Sequence, residues 1–444
     1  MILLFSKSII QKDKVLKERE YNKMSPKLLT MFRNNEISGE QMRKDMIAGF
    51  IVAIIALPLS IALAISSGVS PEKGLITAIF AGFIISFLGG SKVQIGGPTG
   101  AFVVIVYGIV KNHGIDGLII ATIMSGIILV IMGMVKLGNL IKYVPHTVTV
   151  GFTSGIAVTL LITQIKDLLG LDINDVPAEA LHKIVAYVEN IDTFHMITFL
   201  IGFACILIMI YWPKVNKSVP ASIIALVFAT LIVKIFSLNV DTIGSLYSNI
   251  SSTISMPSIP KISMDKIILL IQPAITIAVL ASIESLLSCV VADKMIDDKH
   301  DSNSELVAQG IGNIVSALFG GIPATGAIAR TAANVRNGGR SPISGMVHAI
   351  TLLLIMTLLM PLAKMIPMTV LSAILIIVFY NMGEWKEMKE MMNLPKIDVI
   401  VLLATFILTI VFDLVVAIVV GMSIHLVSVL IISNKKDKVT EEVA

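Results

Sequence analysis

Long apolar stretches separated by short polar loops follow one another along most of the chain. A helix of about 20 apolar residues crosses the roughly 30 Å hydrocarbon core of a bilayer, and stretches near this length recur between residues 45 and 433. About seven crossings fall in each half when two shorter ones are included. The pattern predicts an all-α polytopic membrane protein with about 14 transmembrane segments.

Two of these crossings are interrupted by glycine and proline at corresponding places in the two halves. The first break, Gly96–Ala101 (GGPTGA), follows the short extended stretch Val93–Ile95, and a half-helix to about Val110 follows it. The second break, Gly320–Ala327 (GGIPATGA), repeats the Gly-Gly, Pro and Thr-Gly-Ala elements before a half-helix to about Arg336. Both half-helices are expected to begin inside the membrane.

Breaks of this kind indicate a binding site for an anion. Unsatisfied backbone in hydrocarbon costs several kcal/mol per group, so it occurs inside the protein or beside a polar cavity. Interrupted segments at matching places in two repeats mark the binding site of many transporters. The N-terminus of each half-helix offers free N–H groups and a partial positive charge, and two such ends facing one cavity favour an anion.

The apolar crossings and the charged stretches around them divide the chain into five parts. We expect a basic cytoplasmic segment over 1–44, a first seven-segment repeat over 45–236, an extracytoplasmic loop over 237–264, a second repeat over 265–433 and a short tail over 434–444. An odd number of crossings per repeat inverts the second repeat, and basic residues accumulate on the cytoplasmic side, so both termini are expected in the cytoplasm. The acidic stretch 166–192 then lies outside, with a short surface helix. Met24 is an alternative start.

Three polar side chains inside apolar segments are candidates for chemistry. Glu284 lies in the middle of a crossing, where a carboxylate serves a function or pairs with a cation; here it is either a coupling-ion site or a structural partner. Ser288, one turn later, shares its face. Arg330 lies about one turn into the second half-helix, where it can bind an anion, neutralise Glu284 or extend toward the cytoplasm.

Composition excludes several other classes. With 55% hydrophobic and 14% charged residues, the chain is not an ordinary soluble protein. Its net charge of +4 comes from basic residues in short loops and at the ends, which gives no reason to expect nucleic acid. The breaks lack the Gly-Lys-Ser/Thr ending of a phosphate loop. We find no nucleophile–base pair and no metal-ligand spacing, so we expect no enzyme activity, cofactor or metal.

As a set, these motifs resemble the sulfate permease (SulP) family of anion transporters over residues 45–433. The resemblance rests mainly on VQIGGPTGAF (Val93–Phe102) and on the stretch Gly320–Arg340, which contains PATGAIART and GGR. ALPL (Ala56–Leu59) and ESLLS (Glu284–Ser288) also match.

The resemblance implies a fold of 14 segments in two inverted repeats, divided into a core and a gate subdomain, and commonly a homodimer. It places the substrate between the two half-helix starts, and Glu284 and Ser288 at the ion-coupling position. The implied substrate site consists of Thr99, Gly100, Ala101, Phe102, Gly326, Ala327 and Ile328. Arg330 is added to it as a candidate from its position in the second half-helix.

One departure concerns the C-terminal region. Most members of the family carry a cytoplasmic STAS domain after the last crossing, and here about a dozen residues follow it. The expectation is a membrane domain without STAS, either naturally short or truncated.

We therefore expect a multi-pass protein of the cytoplasmic membrane that takes up sulfate or a related oxyanion or dicarboxylate with protons. Sodium-coupled bicarbonate transport is the alternative. Carriers of that kind have Asp and Thr where Glu284 and Ser288 stand here, and this difference favours proton coupling. An uncoupled anion channel, a nucleobase permease of the same architecture and a non-transporting membrane scaffold are the remaining rivals.

Overall fold

The computed structural model describes residues 25–138, 145–173, 176–177, 179–216, 219–247, 254, 256–258, 260–412, 416–417 and 419–427. The expectations about residues 1–24, the start at Met24 and the tail 434–444 lie outside these ranges, and the last predicted crossing lies partly outside them.

Helices make up nearly all of the described structure. In chain order they are α1 Lys27–Arg33, α2 Gly39–Ser66, α3 Pro71–Leu88, α4 Val103–Met134, α5 His146–Thr163, α6 Ile165–Leu169, α7 Ala180–Glu189, α8 Met196–Val215, α9 Ala221–Ile235, α10 Ile243–Leu246, α11 Met264–Ile296, α12 Ser302–Leu318, α13 Ile328–Arg336, α14 Ile343–Ala363, α15 Met368–Met382, α16 Trp385–Met391 and α17 Lys396–Val411. Single 3-10 turns lie at Gly100–Phe102 and Ile191–Thr193, and two short strands are β1 Gly96–Gly97 and β2 Thr325–Gly326.

Helix starts and breaks follow from local sequence. The first crossing begins at Gly39, ahead of the predicted Asp45, because the Ser38 hydroxyl accepts a 3.1 Å hydrogen bond from the backbone N–H of Gln41 and caps the helix. Within α4, Gly114 adopts φ 68°, which separates the half-helix from the crossing that follows. The predicted half-helix, expected to end at about Val110, therefore lies before Gly114. The predicted surface helix in the acidic stretch is α7.

The long helices pack into two groups. The first bundle consists of α2, α3, α4, α11, α12, α13 and α14, and the second bundle of α5, α8, α9, α15 and α17. Each helix makes its most extensive contacts within its own group, for example α12 with α4 and α17 with α5. The first bundle contains both predicted breaks.

Within the described part of the chain, eight helical segments are long and apolar enough to cross a membrane, and α9 is a shorter apolar helix. Many of their outward side chains are large and apolar, such as Leu358 on α14, 70% exposed, and Leu200 on α8, 55% exposed. Apolar side chains on the outer surface are expected where lipid replaces water. The structure is an all-α membrane protein, as the hydrophobic pattern predicts.

Candidate functional site

The two breaks meet at the centre of the first bundle. Gly96 pairs with Gly326 and Gly97 with Thr325 in an antiparallel ladder, and the backbone N–H of Ala327 donates to the carbonyl of Ile95 at 2.9 Å. The pairing satisfies the extended backbone in the interior, where it has no water to bond with. Both half-helices leave this ladder, so their starts are held close together.

Polar side chains from neighbouring helices fix the ladder. The Ser285 hydroxyl accepts a 3.0 Å bond from the N–H of Gly326 and shares a 2.6 Å bond with the Thr325 hydroxyl. The Gln94 amide donates to the Glu305 carboxylate at 2.9 Å. Sequence analysis did not predict a role for these residues. Each is a polar residue in an otherwise apolar stretch, and this pattern could have indicated a structural role. They hold the site without lining it.

The first predicted group of site residues lies between the ladder and the second bundle. Thr99 ends the extended stretch, and Gly100, Ala101 and Phe102 form the 3-10 turn that starts the half-helix; all four are buried. A Cβ atom on Gly100 would lie 2.7 Å from Leu160 of α5 and 2.9 Å from the Phe379 ring of α15. Gly100 therefore allows the first break to approach the second bundle.

Thr99 and Glu284 contact each other directly. The Thr99 hydroxyl donates a 2.8 Å hydrogen bond to the carboxylate of Glu284, which is partly buried in α11. This contact brings the middle of α11 against the first break.

Arg330 on α13 reaches the first break. The residue is 2% exposed, and one amino group of its guanidinium donates to the carbonyl of Pro98. Its Nε and Nη1 groups are buried and have no hydrogen-bond partner among the described residues. Arg330 and Glu284 interact electrostatically, but no salt bridge within 4 Å joins these two described side chains. The buried Arg330 guanidinium therefore has N–H donors that are available to a ligand.

The remaining predicted residues differ in their surroundings. Gly326 and Ala327 are buried, whereas Ile328 is 37% exposed at the start of α13. Ser288 is buried and its hydroxyl donates to the Thr331 hydroxyl at 3.4 Å, so it engages α13 and not the Glu284 carboxylate. The structure thus brings Thr99, Glu284 and the ladder together and leaves Ser288 one turn away.

A cavity of about 500 Å³ between the two bundles ends at this site. Its walls come from the first half-helix, the first part of α11, and the facing parts of α5 and α17, with the start of α7 at its rim. Ala101 is the predicted site residue that lines it. Among the described residues, no group of three or more His, Cys, Asp or Glu side chains could hold a metal ion.

Comparisons with known proteins identify the family of the chain. The family described as the sulfate permease family matches residues 42–405. The Bacillus subtilis protein named "Putative sulfate transporter YvdB" is 44% identical over 384 residues, covering 86% of this chain and 72% of that protein. The Picosynechococcus protein named "Bicarbonate transporter BicA" is 30% identical over 429 residues, covering 92% of this chain and 73% of that protein.

Solved structures have the same fold. The transmembrane domain of a cyanobacterial bicarbonate transporter BicA superposes with a TM-score of 0.77 at 28% identity, covering 87% of this chain and 98% of that one. The structure of SLC26A9 superposes with a TM-score of 0.83 at 17% identity, covering 97% of this chain and 71% of that one, a likeness in fold.

Proposed function

Because the chain belongs to the sulfate permease family of membrane anion transporters, we propose that it is a secondary active transporter that takes up sulfate or a related oxyanion or dicarboxylate with protons. The observation that carries the proposal is the buried Arg330 guanidinium, whose Nε and Nη1 donors have no partner among the described residues. A buried unpaired cation is costly, and an oxyanion supplies the missing charge and acceptors.

The substrate site in this proposal lies at the two half-helix starts. Thr99, Gly100, Ala101 and Phe102 contribute from the first break, and free N–H groups of that first turn point toward the anion. Gly326, Ala327 and Ile328 contribute from the second break, together with Arg330. Sulfate is the preferred anion because the 44% identical relative carries that substrate in its name.

Glu284 is the proposed coupling group. An anion beside the Glu284 carboxylate is repelled while that carboxylate is ionised, and a proton bound to it removes the repulsion. The hydrogen bond with Thr99 supports this role, because it joins the carboxylate to the start of the first half-helix. Ser288 lies one turn after Glu284, and its hydrogen bond with Thr331 helps to hold this part of α11 against α13.

The proposed motion is a displacement of the first bundle, as the core, against the second bundle, as the gate. The proposed architecture is two inverted seven-segment repeats, over 45–236 and 265–433, with both termini in the cytoplasm and a homodimer as the assembly. The contacts of the long helices, which concentrate within each bundle, support a movement of one bundle against the other.

Sodium-coupled bicarbonate transport is the second candidate. Two bicarbonate transporters are each 30% identical to this chain, and one transmembrane domain of that kind has the same fold. An uncoupled anion channel would have the same substrate site without the coupling role of Glu284.

The test is uptake of labelled sulfate, bicarbonate and fumarate into proteoliposomes, with and without an inward proton gradient and, separately, with and without an inward sodium gradient. We expect wild type to take up sulfate faster with the gradient, and Glu284→Gln to lose the stimulation. Glu387→Gln, a change to an exposed carboxylate on α16, is the matched control and is expected to behave as wild type.

Sodium-dependent bicarbonate uptake would favour the second candidate. Flux unaffected by both gradients and by Glu284→Gln would favour a channel. Absence of any anion flux from correctly inserted protein would contradict the proposal.

A further inference from the structure

The cavity between the two bundles follows single faces of two helices. On the first half-helix, the residues that line the cavity recur every three or four positions, from the first turn to the last. This row runs from Ala101 to His113, a length of about 16–18 Å at 1.5 Å per residue. On α11 the lining residues Leu269, Gln272, Pro273 and Thr276 also share one face. The cavity is thus an elongated passage beside the half-helix.

The inner end of this passage reaches the proposed substrate site. Ala101 is two positions after Thr99, whose hydroxyl contacts Glu284. Pro273 and Glu284 are 11 positions apart on α11, close to three full helical turns, so the wall of the passage continues toward the Glu284 carboxylate. At the outer end, Glu179 and Ala180 belong to the acidic stretch expected outside the membrane.

Three hydroxyl groups in the passage already have hydrogen-bond partners. The hydroxyls of Thr159, Thr276 and Thr409 each donate to a carbonyl one turn earlier in their own helix, at 2.7–3.1 Å. The side-chain amides of Asn112 and Gln272 are exposed and make no hydrogen bond among the described residues. They are therefore free to donate N–H groups to a passing ligand.

We propose that this passage is the anion's access route from outside the membrane, and that Asn112 and Gln272 form an access site that replaces water on the anion before it reaches Ala101. The inference rests on the proposed transport function. Amide groups are suited to this step because they donate hydrogen bonds to an oxyanion without holding it as tightly as a cation would. Glu179 at the rim repels anions and opposes their arrival.

Thiol labelling tests the route independently of transport. The chain has two cysteines, Cys205 and Cys289, and both are fully buried, so wild type gives little background. Gln272→Cys places a thiol in the passage. Ile271→Cys, at the adjacent position, is the matched control because Ile271 is 49% exposed and does not line the cavity.

In intact cells, a membrane-impermeant thiol reagent is expected to label Gln272→Cys at least tenfold faster than Ile271→Cys, and added sulfate to slow the reaction. Labelling of Gln272→Cys only after the cells are opened, or equal labelling of both variants, would overturn the route.

Uptake kinetics test the role of the amide. Gln272→Glu keeps the shape and adds a negative charge, so the sulfate concentration for half-maximal uptake is expected to rise at least fivefold with the maximal rate unchanged. Glu179→Gln is expected to lower that concentration. Unchanged half-maximal concentrations in both variants would overturn the access site.

A bulky side chain in the passage gives a second test of the route. A Cβ atom on Gly108 would meet nothing within 4 Å, and Gly108 lines the cavity, so a large side chain there would extend into the passage. Gly108→Phe is expected to reduce uptake at least tenfold and Gly108→Ala less than twofold. Normal uptake by Gly108→Phe would contradict the route. If wild type moved no anion, the proposed function would fail while the labelling would still report the passage.

Discussion

The Thr99 hydroxyl and the Glu284 carboxylate are joined by a 2.8 Å hydrogen bond across 185 positions of sequence. Replacing Thr99 by Val removes this donor while keeping the shape of the side chain. We expect uptake of the preferred anion to fall at least tenfold, because the carboxylate loses the contact that holds it at the half-helix start. Proteoliposome uptake measures the effect.

Thr99→Ser is the matched control, since it retains the hydroxyl, and we expect at least half of the wild-type rate. Equal rates for the Val and wild-type proteins would remove Thr99 from the site.

Gly326 lies against the Gln94 amide. A Cβ atom at position 326 would lie 2.0 Å from Nε2 of Gln94, which is itself held by Glu305. Gly326→Ala is therefore expected to lower the free energy of unfolding by about 1–3 kcal/mol, as overpacking of a core does. Thermal unfolding in detergent provides the measurement.

Gly108→Ala adds the same methyl group where a Cβ atom meets nothing within 4 Å. It is expected to leave the unfolding midpoint unchanged or slightly higher, because Ala favours helix over Gly by up to about 1 kcal/mol. A Gly326→Ala protein as stable as this control would show that the strand pair can shift to admit a side chain.

Asp45 fastens the start of α2 to the turn after α13. Its carboxylate is fully buried and accepts bonds from the backbone N–H groups of Arg340 and Ser341 at 2.7 and 3.1 Å, and from the Ser341 hydroxyl at 2.6 Å. Asp45→Asn replaces one carboxylate oxygen by an NH2 group, which faces N–H and O–H donors and cannot accept their hydrogen bonds. We expect a loss of about 2 kcal/mol or more in unfolding free energy, seen as a lower thermal midpoint.

Asp265→Asn in the exposed first turn of α11 changes the same chemical group without buried partners. Its expected effect is a few tenths of a kcal/mol, from the helix dipole. Similar midpoints for the two variants would mean that Asp45 does not fix α2 to the turn.

Lys183 on α7 makes stability depend on pH. Its side chain is buried with Nζ 5.2 Å from the centroid of the Tyr107 ring. Burial lowers the pKa of Lys183 from 10.5 to about 8; Glu179 partly offsets this and Lys111 adds to it. Between these pKa values the unfolded chain binds a proton that the folded protein has lost, so the free energy of unfolding rises with pH.

Comparing wild type with Lys183→Met isolates this contribution. From pH 8 to pH 10, the thermal midpoint of wild type is expected to gain roughly 2 °C relative to the Met variant. Lys386→Met, at a side chain that is 91% exposed, is expected to change with pH as wild type does. Parallel pH profiles for wild type and Lys183→Met would show that the buried ammonium does not titrate in this range.

Local sequence predicted the interrupted helices well, because Gly, Pro and the short extended stretches dictate backbone shape within a few residues. The half-helix starts follow from such signals, and the surface helix α7 follows from the acidic stretch that contains it. The contacts that assemble the site join distant residues. Neither the pairing of Gly96 with Gly326 nor the bond from Arg330 to the Pro98 carbonyl has a signature in sequence, because both depend on how α11 and α13 pack in the bundle.

Ser288 illustrates the same limit of local reasoning. Its spacing places it on one face with Glu284, yet the packing of α13 gives its hydroxyl a partner in Thr331. Helical periodicity defines a face but does not select which neighbour occupies it.

The backbone bonds between Gly96 and Gly326 fasten the two half-helix starts to each other. In the proposed carrier, a substrate site whose two half-helix starts are joined in this way keeps its shape whichever side of the membrane it faces. Its intrinsic affinity for the anion is then the same on both sides of the membrane. Concentration of the anion inside the cell must come from the energy of the coupled ion gradient and the membrane voltage, and reversing those gradients must make the same protein export its cargo.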